Sequence, residues 1–247
     1  MTEKTPSWQR WLVLGMALLG VGVTFSLGLW QLGRAAEKTT LQNARTQQAA
    51  QAELDGRTLG GAQDSAQQRA GLIHRRMVLV GRWLPQHTVY LDNRQMHGKP
   101  GFFVLTPLQI QGTDAVLLVQ RGWAQRSFTD RAALPAIQTP EGQVEIEGHL
   151  APWPSRLYDF GGAEAGPIRQ NLDLQVFRQE TGLGVLEVTL LQSGPASEGL
   201  LREWPVVASG VEKHHGYAFQ WFGLSGLIAL LYVWFQIVQS RRKKRPA

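Results

Sequence analysis

The 247-residue sequence contains no cysteine. That excludes disulfides, thiolate nucleophiles, Cys-ligated copper or zinc, and covalent haem attachment through C-x-x-C-H. It leaves an oxidising compartment open, because a domain of this size can fold on its apolar core alone. The common catalytic signatures are missing too: no G-x-x-x-x-G-K-[ST], G-x-G-x-x-G, H-E-x-x-H or G-x-S-x-G occurs. Acidic charge is only slightly scarce, with 19 Asp and Glu against 25 Lys and Arg. Five of those cations form one terminal run, Arg241-Arg242-Lys243-Lys244-Arg245, and the rest of the chain is close to neutral. A nucleic-acid module needs a basic face within its folded domain, and none is legible here. Nothing supplies an enzyme's nucleophile, metal site or acid–base pair, so the sequence argues against an enzyme.

What is present in excess is uncharged apolar sequence, in two blocks. Trp11 to Gly33 (WLVLGMALLGVGVTFSLGLWQLG) and Ala218 to Val238 (AFQWFGLSGLIALLYVWFQIV) carry no charge. At ~1.5 Å per helical residue each spans roughly 30–35 Å, the thickness of a bilayer's hydrocarbon core. Trp8, Trp11, Trp30, Trp221, Tyr232 and Trp234 stand near their ends, where amphipathic rings favour the headgroup layer. The first block is longer than the apolar run of a signal peptide, and no clean A-x-A cleavage site follows it. The basic tail is expected to stay cytoplasmic, and two spans then place the N-terminus, with Lys4 and Arg10, on the same side. The expected organisation is a cytoplasmic N-terminus (1–10), transmembrane helix one (11–33), an extracytoplasmic, periplasmic α+β domain (34–217), transmembrane helix two (218–238) and a basic cytoplasmic tail (239–247).

Residues 34–55 are polar, rich in Gln and Ala, and predict a helical stalk that continues the first helix outward. Short β-rich runs follow at 77–84, 88–94, 101–110, 115–123, 143–150 and 185–192, each bounded by turn-forming residues. Residues 171–182 show helical spacing, with Asn171 as N-cap and Gly182 as stop. Residues 151–168 and 193–210 are Pro- and Gly-rich loops. The pattern predicts a mainly antiparallel sheet or small open barrel with one or two helices, and no nucleotide-binding βαβ alternation.

Two clusters flank the apolar blocks on the same predicted membrane face. His214 and His215 precede the second block, and a helix starting near Glu212 puts His214, Tyr217 or Ala218, and Trp221 on one face. A neutral imidazole beside aromatic rings at the edge of a low-dielectric phase suits an axial haem ligand. The same residues also suit an amphipathic anchor, hydrogen-bonding to lipid headgroups. At the end of the first block, Trp30 and Arg34 share a face. Arg34 can pair with a lipid phosphate, a haem propionate or a carboxylate of the domain. Arg121 and Asp92-Asn93-Arg94 read as polar turn and packing residues whose charge beside large aromatics can also mark a recognition surface.

Five stretches together resemble the surfeit locus protein one family, membrane-bound assembly factors for haem-copper cytochrome c oxidase. They are Trp30-Gln31-Leu32-x-Arg34-x-x-x-Lys38; Leu91-Asp92-Asn93-Arg94 through Gly98 to Gly101-Phe102-x-Val104-Leu105-Thr106-Pro107-Leu108; Val119-x-Arg121-Gly122-Trp123; Asn171-Leu172-Asp173; and His214-x-x-Tyr217-Ala218-x-x-Trp221-Phe222. The resemblance implies an assembly factor of the bacterial inner membrane that assists haem a delivery or insertion into the oxidase's catalytic subunit. It also implies haem a held transiently and non-covalently. His214 would be its iron ligand, with His215 as a substitute. Trp30, Tyr217 and Trp221 would wall the macrocycle, and Arg34 would meet a propionate. The implied partners are the catalytic subunit, a haem a synthase and membrane lipids, with no nucleic acid. A scaffold that binds oxidase subunits without haem is the alternative, and a membrane-anchored enzyme is a remote one.

Overall fold

The computed structural model describes residues 7–60, 65–130, 132–158, 166–205 and 210–238, which divide into a helical unit and a sheet unit. Lys4 and the run Arg241–Arg245, on which the orientation argument rests, lie outside the described residues, as does the rest of the segment 239–247.

The helical unit pairs the two apolar blocks. Helix α1 runs unbroken over Ser7–Ala50, 44 residues, and α4 over Val211–Val233, followed by a π-helical turn at Trp234–Val238. Both are long and apolar enough to cross a membrane. Helix α4 begins seven residues before the uncharged block, at a Gly210 N-cap in the left-handed conformation (φ 64°). Small residues bring the two helices together. Gly20, Thr24 and Gly28 recur every four residues on α1, where a side chain would otherwise hold the backbones apart. A Cβ on Gly28 would lie 2.5 Å from the Phe222 ring, and one on Gly20 would lie 3.4 Å from Ile228. Phe25 packs on Phe222 with ring centroids 5.2 Å apart, and the Ser225 hydroxyl donates to the Val21 carbonyl at 3.3 Å. The buried Thr24 donates to the Gly20 carbonyl of its own helix.

The helical stalk ends at Ala50, earlier than the expected residue 55. Leu54–Asp55 forms β1, which pairs in parallel with Met77 and Val78, so the sheet takes the residues that local propensity would give to the helix. The sheet unit continues with α2 (Ala66–Gly71), β2 (Arg76–Trp83), β3 (Val89–Met96), β4 (Lys99–Ile110), β5 (Val116–Gln125), β6 (Gln143–Pro152), β7 (Ile168–Arg169), α3 (Leu174–Thr181) and β8 (Val185–Gln192). The six predicted strand runs coincide with β2, β3, β4, β5, β6 and β8 to within two residues at each end.

The strand order is β1-β2-β6-β8-β5-β4-β3-β7, and β2 also pairs with β4. That extra pairing turns the predicted open barrel into a closed ring of five strands, β2-β6-β8-β5-β4. Gly81, Arg82 and Trp83 meet Ile110, Gln109 and Leu108 at the seam. The ring is antiparallel except between β5 and β8. Alternation fills it: Met77, Leu79 and Trp83 of β2, Leu117 and Val119 of β5, Ile146 and Leu150 of β6, and Val188 and Leu190 of β8 form one buried cluster. The opposite faces of β4 and β5 are covered as well. Leu105, Val116 and Leu118 pack with Phe177 of α3, and with Leu172 and Leu91, in a second cluster. This double burial explains why β5 reads as a continuous apolar run rather than an alternating one.

Asn171 does not cap α3. Asp173 does, its carboxylate accepting from the N–H groups of Gln175 and Val176, while Gly182 ends the helix in the left-handed conformation as expected. The Asn171 amide is engaged elsewhere, bonding both the N–H and the carbonyl of Leu157. Helix α2 was not anticipated, although Ser65 and Gln68 form a capping box at its start.

Arg69 of α2 reaches the barrel and donates twice to Glu187 of β8, at 2.8 and 2.9 Å. That hydrogen bond chiefly holds the Glu187 carboxyl below its usual range, against a smaller opposing effect of burial. A carboxyl depressed in the fold contributes stability above its unfolded pKa and loses it as pH falls through the folded value. Unfolding measured across acidic pH should therefore show Glu187→Gln losing less stability than the parent below about pH 5.

Candidate functional site

Gln31 and His214 join the two end clusters of the helical unit. Gln31 stands one turn beyond Gly28 on the face of α1 that packs against α4, and the His214 Nδ1 lies 2.7 Å from its Oε1. An amide oxygen only accepts, so this contact makes Nδ1 the protonated nitrogen of the neutral ring. The Nε2 lone pair is left over, and it has no protein partner among the described residues. Lys38, two turns further along α1, brings its ammonium beside Gly210 at the start of α4. Lys38 and Arg34 are both near enough to act electrostatically on His214.

The other expected site residues are placed as follows. Arg34 donates to Glu37 of its own helix at 2.7 Å, and its side chain is half exposed. Trp30 and Tyr217 are exposed and Trp221 is half-buried. No ring contact links these three to one another among the described residues. Trp30 ends an open apolar groove along α1 that includes Gly22, Val23 and Leu27. His215 is exposed beside His214. Within the stretch Trp30 to Arg34 it is Gln31, to which the sequence alone assigns no role, that touches His214.

The motifs of the sheet unit form buried connections. Asp92 and Asn93 lie in a bulge of β3 between Leu91 and Arg94, with Asn93 at φ 58°, a conformation Asn tolerates better than most residues. Asp92 accepts twice from Arg126 at 3.1 Å. Arg94 turns inward and donates to the carbonyls of Ser155 and Gln170, while its own carbonyl accepts from the Trp123 indole at 2.9 Å.

Arg121 sits in the β5 bulge opposite Val104 and Leu105 and is fully buried, so it is the packing residue expected and not a turn residue. Its guanidinium lies over the Trp83 ring at 4.7 Å and donates to Thr139, to the Gln138 carbonyl and to Glu198. Glu198 also accepts from Arg202 at 3.0 Å, and Arg202 donates back to the Arg121 carbonyl. Gly122 lets this loop come close, since a Cβ there would lie 2.7 Å from the Leu201 oxygen. R-G-W therefore fastens the 195–202 loop to the barrel end. Arg121 and Arg94 are inward-facing side chains rather than a recognition surface.

Comparison with known proteins covers most of the chain. The SURF1 family profile matches residues 18–226. A SURF1-like protein of Rickettsia felis is 28% identical over 230 aligned residues, 88% of this chain and 94% of the relative. A SURF1-like protein of Rickettsia conorii is also 28% identical, over 85% of each chain. An uncharacterized SURF1-like protein of Mycobacterium tuberculosis is 27% identical over 97% of this chain and 88% of its own length. The match takes in most of both apolar helices, the barrel unit and its arginine connections, and the chain belongs to the SURF1 family.

Proposed function

We propose that this chain is a membrane-anchored assembly factor for a haem-copper cytochrome c oxidase, assisting haem a delivery or insertion into the catalytic subunit. The observation that carries the haem part of the reading is the half-buried His214 ring, whose Nδ1 is held by Gln31 and whose Nε2 has no protein partner among the described residues. Among the described residues no group of three His, Asp or Glu side chains could hold a bare metal ion. One ring nitrogen suits instead an iron already held by four porphyrin nitrogens. His214 would hold that iron through Nε2, and haem a would supply it. Arg34, half exposed with a single bond to Glu37, retains N–H groups for a propionate, and Lys38 adds a second cation nearby. Trp30, Tyr217 and Trp221 would offer ring faces to the macrocycle. Nothing ties the group covalently, which suits a carrier that must release what it holds.

In this reading the helices cross a bacterial inner membrane, both termini are cytoplasmic and the barrel unit is periplasmic. The barrel unit docks on the catalytic subunit or on a haem a synthase. The protein performs no chemistry of its own.

Complementation tests the reading. Cells lacking the chain should recover membrane haem a and oxidase activity with the parent gene, and fail to with His214→Ala/His215→Ala at equal protein level. Full recovery with that double variant sinks the haem role and leaves a scaffold for oxidase subunits.

A further inference from the structure

We propose that Gln31 is the positioning residue for His214: its amide oxygen fixes the Nδ1-protonated tautomer and aims Nε2 away from α1 as the free ligand nitrogen. The purpose rests on the haem reading above, whereas the geometry does not. Free histidine in water favours the opposite tautomer, with the proton on Nε2 and no lone pair there for a metal. A partner that accepts at Nδ1 reverses that preference and holds the ring at one angle, the role that carbonyls and carboxylates play behind metal-binding histidines. Gln31 has the means to do this. It lies half-buried on the packed face of α1, one turn beyond Gly28. The Gly28–Phe222 contact fixes the helix separation at that level, and the 2.7 Å contact spans 183 residues of sequence. The bond therefore couples the ring to both helices rather than to its own.

A contact that merely glued the helices together would work with either tautomer. If the Gln31 amide turned over, its NH2 would donate to Nδ1 and Nε2 would carry the proton, closing the position. The two arrangements differ in a measurable way.

The full-length protein, haem-free in detergent and labelled with 15N-histidine, is examined by ring 15N–1H correlation at alkaline pH, with His214→Ala to assign the signals. His214 should be protonated on Nδ1 in the parent and in Gln31→Glu, which keeps the acceptor. In Gln31→Leu it should shift to mainly Nε2–H. A parent ring protonated on Nε2, or a tautomer unchanged in Gln31→Leu, overturns the proposal. Haem titration of the same samples gives the second readout. Loss of the orienting partner should weaken binding about 10–100-fold in Gln31→Leu, with recovery in Gln31→Glu. If the parent shows the Nδ1–H tautomer but takes up no haem, the positioning by Gln31 stands and the haem reading falls.

Discussion

Replacing Glu198 by alanine is expected to destabilise the sheet unit by about 3–5 kcal/mol, the cost of leaving buried charge without its counter-ion. The side chain of Arg121 is 0% exposed and that of Arg202 4%, and both donate to the one Glu198 carboxylate at 3.0 Å. Neither cation can turn to water when that carboxylate is removed. Burial already pulls the Arg202 guanidinium down from its ordinary value, and Glu198 is the main influence opposing that shift. The neutral partners that remain are Thr139 and the Gln138 carbonyl for Arg121, with Ser197 and the Pro195 and Arg121 carbonyls for Arg202. They supply dipoles but no charge. Glu198→Gln preserves the shape and should cost less than Glu198→Ala. Adding Arg121→Met to Glu198→Ala should recover part of the loss, because the deeper of the two orphaned charges is gone. Denaturant unfolding followed by tryptophan fluorescence reads all four proteins. Equal stability of Glu198→Ala and the parent would show that the shared carboxylate is not what holds the 195–202 loop.

The second large effect is expected at the barrel seam. Gly81 pairs on one side with Val144 of β6 and on the other with Ile110 of β4, so β2 is hemmed in where the ring closes. A Cβ at Gly81 would lie 2.3 Å from the Gln109 carbonyl oxygen and 2.8 Å from the Leu108 side chain. The oxygen belongs to backbone and cannot swing aside as a side chain would. Gly81→Val should therefore part β2 from β4 and cost about 3 kcal/mol or more, at the upper end of overpacking losses. Amide exchange provides a local check. Protection should fall first at the β2–β4 pairs, while the β4–β5 pairing persists. Uniform loss, or none, would mean that closure through these three pairs is not a distinct feature of the fold.

These two sites also show how far the sequence could be read. Strand positions were legible because each run is β-rich and punctuated by Gly, Pro, Asn or Asp, and β8 falls on the predicted Val185–Gln192. Barrel closure was not legible, since it depends on three residue pairs between strands that are not consecutive. The two-residue strands β1 and β7 are too short to carry a pattern. Arg121 looked like a turn residue because its counter-charge is 77 positions away and no local signal marks a buried pair. Asn171 was a reasonable cap by type, but Asp173 two residues on was another, and only the tie from Asn171 to Leu157 separates them. At the candidate site the aromatic and charged members of Trp30-Gln31-Leu32-Gly33-Arg34 drew attention for their chemistry. The packed face belongs to Gln31, and the stripe Gly20, Thr24, Gly28 four residues apart was the signal that could have pointed to it.

The haem claim is tested most directly by the visible absorption spectrum of the protein purified in mild detergent from cells able to make haem a. The spectrum is recorded beside those of His214→Ala and His214→Ala/His215→Ala. The account predicts Soret and α bands of haem a in the parent, diminished in His214→Ala and absent from the double variant. A folded parent without those bands, or bands unchanged when both histidines are gone, would contradict it.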